Sequence, residues 1–365
     1  MIKYRVSTRC NSNISSLLHG RFTIKVVLLD NTELSFEFEE RKKILGSELF
    51  EKVCKNTKIE EPWRKYFGLQ YVNKNDGKRD WLKQDQVVTQ CPSSVIGHFQ
   101  LAVKVFPDTP SDEDQVVQKI LVFQVKEYLL LGKLRTTIQE QALLDSYFAQ
   151  ATLGNFNQKR HFNGYLEKCL GSFFCNPFAE MSKNLYEQKV QTLHKSHQGM
   201  APCEAFKAFL SLSASLFGYG TFVYKQAVDM NGKEFILTVS FKGIQIFLPN
   251  IYGEPEELVQ EVPWSTVVSF VNDSSKFLFS VCSAHKSLQT HSFRFKGHYG
   301  YLQANRVFTD AVYHRDLFLA SKYIKKSQEP RSKLLKSENS LGLERLLPGR
   351  DIDEIILMPN KKTDV

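Results

Sequence analysis

Apolar and polar side chains alternate through the N-terminal part of the chain, as they do in half-buried β-strands. The alternating runs lie at residues 22–28, 34–38, 66–72 and 98–106. Asp30 and Asn31 separate the first two runs and predict the turn of a β-hairpin. Around Leu49 the apolar residues recur instead with the period of a helix. Residues 21–108 therefore predict a small α+β roll like ubiquitin, preceded by a flexible stretch over 1–20.

Residues 109–217 show the spacing of helices and no convincing strand. Pro107 and Pro110 mark the change of period, and Pro202 fits the first turn of a helix. The apolar stripes of four predicted helices contain Val117, Leu121, Val125 and Tyr128; Leu144, Phe148 and Ala151; Tyr186, Val190 and Leu193; and Phe206, Leu210 and Phe217. This block predicts an all-helical bundle.

The alternation returns over residues 218–328 and is closed by one long helical pattern. The strand-like runs lie at 221–229, 234–241, 243–249, 265–273, 276–283 and 291–297. Tyr301, Asn305, Phe308 and Val312 follow at helical spacing. Antiparallel strands closed by a C-terminal helix predict a barrel or sandwich of the pleckstrin-homology kind. A basic segment and a short tail, 329–365, complete the chain.

The amino-acid composition limits the chemical class of possible partners and indicates the redox state of the cysteines. The 365 residues are 42% hydrophobic and 24% charged, which excludes a largely disordered chain. A net charge of +9 permits an acidic lipid, a nucleic acid or an acidic peptide as partner. The seven cysteines are scattered, which favours reduced thiols in the cytoplasm over disulfides or a zinc site. Because no run of about 18 apolar residues occurs, any membrane role is expected to be peripheral.

Several long motifs point to one known family. They are WLKQDQVV at 81–88 with VKVFPD at 103–108, LVFQVKEYLLLGKL at 121–134, LLDSYFAQATLGNFN at 143–157 and LHKSHQGMAPCEAFKAFLSLSASLFGYG at 193–220. Together with VPWSTVV and ANRVFTDAVYHRDLF near the end, they resemble the FERM domain of the band 4.1 superfamily. The resemblance spans residues 22–320 and departs from the family pattern at Cys91, where Gln or His is usual.

The resemblance implies an α+β, three-lobed fold. It consists of a ubiquitin-like roll, an all-helical bundle like acyl-CoA-binding protein, and a pleckstrin-homology or PTB-like barrel with a C-terminal helix. It also implies a non-catalytic adaptor in the cytoplasm, peripheral at the plasma membrane and cell cortex, without a cofactor. Its expected partners are cytoplasmic tails of membrane proteins, acidic phosphoinositides and cortical cytoskeletal proteins.

A second hypothesis belongs to another class. The chain would then be the targeting module of a truncated or alternatively spliced FERM-containing protein tyrosine phosphatase. A transcript that continues past Val365 would favour this alternative.

A basic stretch after the last predicted helix supplies candidate lipid contacts. Clusters of Lys and Arg beside a folded module bind anionic lipid, at about 1 kcal/mol for each residue near the surface. By analogy with the family, two residues of the first lobe join them. The expected lipid-binding residues are Arg64, Lys65, Lys322, Lys325, Lys326, Arg331, Lys333 and Lys336. A solvated helix end explains the stretch equally well, and no interleaved aromatic residues favour nucleic acid.

Two peptide contacts are also expected. In the family, a partner's tail adds as a strand to a groove of the last lobe. The residues expected to border this groove are Lys276, Phe277, Leu278, Phe279, Ser280, Tyr301, Asn305, Phe308 and Val312, with Phe308 and Val312 expected in the core. The final residues Thr363, Asp364 and Val365 fit a ligand for a PDZ module, which captures a free carboxylate.

Two short motifs suggest chemistry that their surroundings do not support. His314 to Leu317 spell the HRDL of a protein-kinase catalytic loop, but the required Asn, DFG and glycine-rich motifs are missing from the sequence. His194 and His197 are spaced i, i+3 on a predicted helix, without an evident third metal ligand. The sequence therefore predicts neither an enzyme nor a metal site.

Overall fold

The computed structural model describes residues 21–39, 43–91, 98–174, 181–273, 275–282 and 287–328. For Arg21 and for residues 321–328 it describes the backbone alone. The described residues divide between two units, one ending at Leu317 and the other beginning at Phe318. The predictions for 1–20 and 329–365 lie outside the described residues.

The first lobe is a five-stranded sheet with one main helix. Its strands are β1 (Arg21–Val27), β2 (Glu33–Glu39), β3 (Phe67–Val72), β4 (Arg79–Trp81) and β5 (His98–Val103), and its helices are α1 (Gly46–Thr57) and the short α2 (Glu61–Arg64). The sheet order is β2-β1-β5-β3-β4. Asn31 adopts a left-handed φ of 67° in the β1–β2 turn, which Asn tolerates well. The predicted hairpin is confirmed, whereas β4 is too short to show a periodic pattern.

The second lobe is entirely helical in its described residues. Its helices are α3 (Gln115–Leu130), α4 (Ile138–Leu153), α5 (Tyr165–Leu170), α6 (Lys183–Ser196) and α7 (Pro202–Ser215). Asp114 accepts a hydrogen bond from the Val116 amide and so caps α3. Phe217, predicted on the apolar stripe of the last helix, is 72% exposed because α7 ends two residues before it.

A fully buried ion pair joins α3 to α4 inside this lobe. The Lys126 Nζ lies 2.5 Å from Oδ1 of Asp145, and both side chains are 1% exposed. The second oxygen of Asp145 accepts a hydrogen bond from the Tyr186 hydroxyl at 2.7 Å. The carboxylate therefore connects three helices of the bundle.

The third lobe is a seven-stranded antiparallel sheet with a long helix. Its strands are β6 (Phe222–Val228), β7 (Glu234–Ser240), β8 (Gly243–Pro249), β9 (Pro255–Pro263), β10 (Val267–Asp273), β11 (Lys276–Cys282) and β12 (Leu288–Phe295), and its helix is α8 (Gly300–Gln328). The order is β10-β11-β12-β6-β7-β8-β9. The strand β9 was not predicted, because its side chains are mostly exposed and proline stands at both ends.

The core stripe of α8 differs from the predicted one. Ala304, Val307 and Ala311 are fully buried, whereas Phe308 and Val312 are half-buried. Small alanine side chains let the helix approach the sheet closely, so they occupy the inner face. The two larger residues consequently lie at its margin, which corrects their expected place in the core.

The first and third lobes meet through a set of side chains that we call the clasp: Trp81, Asp76 and Asp80 of the first lobe, and Tyr224, Arg306 and Asp310 of the third. Arg306 contacts Asp76 at 2.6 Å and Asp80 at 2.5 Å. Asp310 accepts hydrogen bonds from the Trp81 indole at 2.9 Å and from the Tyr224 hydroxyl. These bonds fix α8 against the first lobe.

Candidate functional site

The strand β10 forms one open edge of the third sheet. It pairs with β11 on one side, and no described strand pairs with its other side. Its side chains Val268 and Val271 are 50% and 52% exposed. Backbone groups on such an edge are available to an added strand.

The helix α8 runs beside this edge and contacts it at two points. The side-chain amide nitrogen of Asn272 donates a hydrogen bond to Oδ1 of Asn305 at 3.1 Å. The Arg315 guanidinium donates to the Val268 carbonyl at 3.1 Å and lies 5.7 Å from the Phe270 ring. The helix is therefore held along most of the length of the strand.

Along the same side, the helix presents a partly exposed stripe. Helical spacing places Tyr301, Phe308 and Val312 on the same face as Asn305 and Arg315. Tyr301 is 44% exposed, and Phe308 and Val312 are half-buried. We call β10 together with this face of α8 the edge groove. The helix face supplies apolar side chains, β10 supplies an open backbone edge, and the Arg315 guanidinium lies at one end.

The structure corrects the strand expected to border the groove. The strand β11, which contains Lys276 to Ser280, is paired with β10 on one side and with β12 on the other. Phe277 and Phe279 are fully buried in the core. The Ser280 hydroxyl lies 2.9 Å from that of Thr290 on β12. An inner strand has no free edge, so the bordering strand is β10, which sequence reasoning missed because strand order is not a local property.

The candidate lipid residues of the first lobe differ in their availability. The Arg64 side chain donates to the Ile59 carbonyl at 3.2 Å and pairs with Glu61 at 2.5 Å, so it stabilises α2. Lys65 is exposed, and its ammonium group lies 5.3 Å from the Tyr66 ring.

The remaining candidates lie at or beyond the end of α8. Lys322, Lys325 and Lys326 belong to the helix, and their spacing places them on adjoining positions of one face. Arg331, Lys333 and Lys336, and the PDZ-ligand residues Thr363, Asp364 and Val365, lie outside the described residues.

The two histidines of α6 are engaged by the protein itself. His194 accepts from the Tyr165 hydroxyl at 2.8 Å and donates to the Gly154 carbonyl at 2.8 Å. His197 lies 2.9 Å from the Ser146 hydroxyl. Burial lowers the pKa of both rings, which favours their neutral forms. These contacts are structural and leave no ring nitrogen of His194 for a metal.

The HRDL sequence lies inside α8 rather than in a loop. His314 is buried, and its Nδ1 lies 2.7 Å from the Asp310 carbonyl one turn earlier. Burial lowers the pKa of His314 to about 4. A helical segment with a buried histidine lacks the geometry of a kinase catalytic loop.

Comparisons with known proteins agree with this architecture. The model of the FERM N-terminal domain matches residues 26–93, and that of the FERM central domain matches residues 108–224. The human Band 4.1-like protein 3 is 31% identical over 224 residues, which are 61% of this chain and 19% of that protein. The human Band 4.1-like protein 2 is 28% identical over 314 residues, which are 85% of this chain and 29% of that protein. The chain thus spans less than a third of the length of either relative.

Solved structures share the fold. The complex of the FERM and C-terminal domains of Drosophila Merlin aligns with a TM-score of 0.71 at 21% identity, covering 84% of this chain and all of that one. A second solved structure is the C-terminal MyTH4-FERM domain of human Myosin 7b in complex with the harmonin-a PDZ3 domain. It aligns with a TM-score of 0.56 at 12% identity, and the alignment covers 82% of this chain and 60% of that one. The three-lobed fold class predicted from the sequence is confirmed. Within the described residues, no helix has the length and apolarity that crossing a bilayer requires.

Proposed function

The chain belongs to the FERM family of the band 4.1 superfamily, and on that basis we propose that it is a non-catalytic adaptor of the plasma membrane. It would work in the cytoplasm, holding cytoplasmic tails of membrane proteins and linking them to the cortical cytoskeleton. The observation that supports this most is the edge groove, in which an open strand edge runs beside a partly exposed apolar helix face.

The groove suits a peptide that adds as a strand to β10. The register of β10 against β11 shifts between Val267 and Ser269, so Val268 lies in a bulge. Arg315 already binds the carbonyl of this residue. The added strand would therefore pair with residues 269–273, where the edge is regular. Main-chain bonds would supply affinity, and the Phe308–Val312 face would select apolar side chains.

Truncating Phe308 to alanine is expected to weaken tail binding at least tenfold, because the peptide loses its main apolar contact. A panel of fluorescein-labelled cytoplasmic-tail peptides would first be screened against the wild-type chain by fluorescence polarisation. The strongest binder would then be titrated against the variant. A tenfold loss corresponds to about 1.4 kcal/mol.

Phe50→Ala is the matched control, since Phe50 is also a half-buried phenylalanine on a helix but lies in the first lobe. We expect it to leave peptide affinity unchanged within about twofold, well under 1.4 kcal/mol. If the wild type and Phe308→Ala bind with equal affinity, or if both variants lose affinity equally, the peptide does not bind in the edge groove.

We further propose that acidic phosphoinositides assist recruitment. Lys322, Lys325 and Lys326 at the end of α8 would contact the lipid together with Arg331, Lys333 and Lys336. In the first lobe, Lys65 is the candidate that remains available, because Arg64 is paired with Glu61. Attraction between exposed charges and anionic lipid weakens as salt rises.

Lys325→Glu/Lys326→Glu is expected to abolish flotation with vesicles that contain phosphatidylinositol bisphosphate. Wild type should float with these vesicles, less at physiological than at low salt, and should not float with neutral ones. Lys159→Glu/Lys207→Glu makes the same charge change at two exposed lysines elsewhere and serves as control. If the first variant floats as well as the wild type does, the end of α8 does not contribute to lipid binding.

A further inference from the structure

The contacts between α8 and β10 set how the two elements are aligned along the edge groove. Near one end, Asn272 is bonded to Asn305. Near the other end, Arg315 is bonded to Val268. The helix rises about 15 Å between its two contact residues, and the strand spans about 13 Å between their partners. The helix therefore runs antiparallel to β10 and keeps level with it, so its apolar face lies opposite the middle of the strand, at Phe270.

The Arg315 guanidinium is only partly used by the protein. It has five N–H donors, and the Val268 carbonyl is the acceptor that the described residues offer it. Its Nε atom is buried without a hydrogen-bond partner among them. In the same part of the chain it forms no ion pair with a carboxylate. Successive side chains of a helix point in different directions, so the next residue, Asp316, does not face the groove.

The opposite end of the edge groove has a different polarity. The side-chain nitrogen of Asn272 donates to Asn305, whereas the Asn272 Oδ1 atom is buried and has no partner among the described residues. The next residue of β10, Asp273, is exposed and adds a negative charge. A carboxylate on a bound peptide is therefore attracted to the Arg315 end and disfavoured at the other.

The direction of an added strand decides which part of the peptide meets Arg315. Antiparallel pairing is slightly more stable per residue than parallel pairing, and an antiparallel strand enters at Asp273 and reaches Ser269 with its C-terminal part. Side chains of a strand alternate between two faces, so every second one faces α8. The one opposite Phe270 meets the Phe308–Val312 face. The next one on that side, two residues later, meets Arg315.

We propose that the edge groove selects tails in which Asp or Glu follows the central apolar residue by two positions, and that Arg315 makes this selection. The inference rests on strand addition at β10, proposed above, and names the sequence that the added strand carries. A carboxylate side chain accepts charge-assisted hydrogen bonds from the guanidinium, whose other donors keep the Val268 bond. Lysine at the same peptide position would place two cations close together, so the groove rejects it.

Selection from random peptides tests this preference without choosing a tail in advance. A library of random short peptides is displayed on phage and selected against the full chain. Each peptide is fused to the coat protein through its C-terminus, so only side chains supply carboxylates. Wild type should enrich Asp or Glu two positions after an apolar residue, and Arg315→Glu should enrich Lys or Arg there instead. Arg160→Glu, the same change at an exposed arginine of the second lobe, should select as wild type does.

Affinities then show whether the selected carboxylate and Arg315 act on each other. The most enriched wild-type peptide is made with a fluorescein label and an amidated C-terminus, and titrated by fluorescence polarisation. Changing its acidic residue to the corresponding amide should weaken binding about tenfold on wild type and less than about twofold on Arg315→Gln. The melting temperature of unliganded Arg315→Gln should equal that of wild type, since glutamine can still donate to the Val268 carbonyl.

Two kinds of failure can be told apart. If the enriched peptides lack the acidic residue, or if the amide change weakens binding equally on wild type and Arg315→Gln, the selection by Arg315 is wrong. Strand addition then stands if Phe308→Ala still weakens the same peptide. If the enriched peptides bind Phe308→Ala as tightly as wild type, they lie outside the edge groove, and both the groove and the selection are refuted. A wild-type chain that enriches no peptide contradicts both as well.

Discussion

Replacing Asp145 with alanine is expected to lower the free energy of unfolding by about 3–5 kcal/mol, the cost of breaking a buried ion pair. The substitution leaves the Lys126 ammonium group without its partner in a site that is 1% exposed. It also removes the acceptor of the Tyr186 hydroxyl. Chemical unfolding followed by circular dichroism, with extrapolation to zero denaturant, measures the loss.

A double variant shows whether the effect arises from the unpaired charge. Lys126→Met/Asp145→Leu removes both charges and fills much of their volume, so it should be clearly more stable than Asp145→Ala. An exposed ion pair contributes at most about 1 kcal/mol to the free energy of unfolding. A loss smaller than this in Asp145→Ala would contradict the buried geometry of the pair.

Replacing Asp310 with alanine is expected to loosen the first lobe from the third. The Trp81 indole and the Tyr224 hydroxyl both lose their acceptor. Each buried donor left without an acceptor costs about 1–3 kcal/mol. Urea unfolding, followed by tryptophan fluorescence, measures the change. Asp316→Ala, the same change at an exposed position of α8, should have little effect.

The difference between wild type and Asp310→Ala should also depend on pH. Burial raises the pKa of Asp310 from 3.8 to about 6, against the opposing effects of the Tyr224 and Trp81 hydrogen bonds and of the Lys104 and Arg306 charges. The folded chain then binds this proton more tightly than the unfolded chain does. The contribution of Asp310 to stability is therefore fully present below pH 3.8 and declines as pH rises to about 6. A wild-type advantage that grows between these pH values would contradict this assignment.

Periodicity was sufficient to predict most of the elements. The hairpin of β1 and β2, the helices α3, α4, α6 and α7 and six of the seven strands of the third sheet follow from local alternation or helical spacing. The strand β9 and the helix α5 do not, since β9 is polar and bounded by proline and α5 has only six residues. Their formation depends on neighbours rather than on local pattern.

The candidate site was predicted only in part. The spacing identifies the helix face around Phe308, but local pattern favours β11 as the bordering strand. Only tertiary pairing shows that β10 is the outer strand. The sequence does not predict the clasp, since Trp81 and Asp310 are 229 positions apart and only the tertiary fold brings them together.

Hydrogen exchange of the β10 amides tests the adaptor role of the edge groove most directly. With the strongest tail peptide from the screen bound at saturation, exchange of the amides in residues 269–273 should slow at least tenfold, and exchange in α4 of the helical lobe should stay unchanged. Saturating peptide that leaves the exchange of β10 unaltered, or that protects another surface instead, would contradict strand addition at this edge.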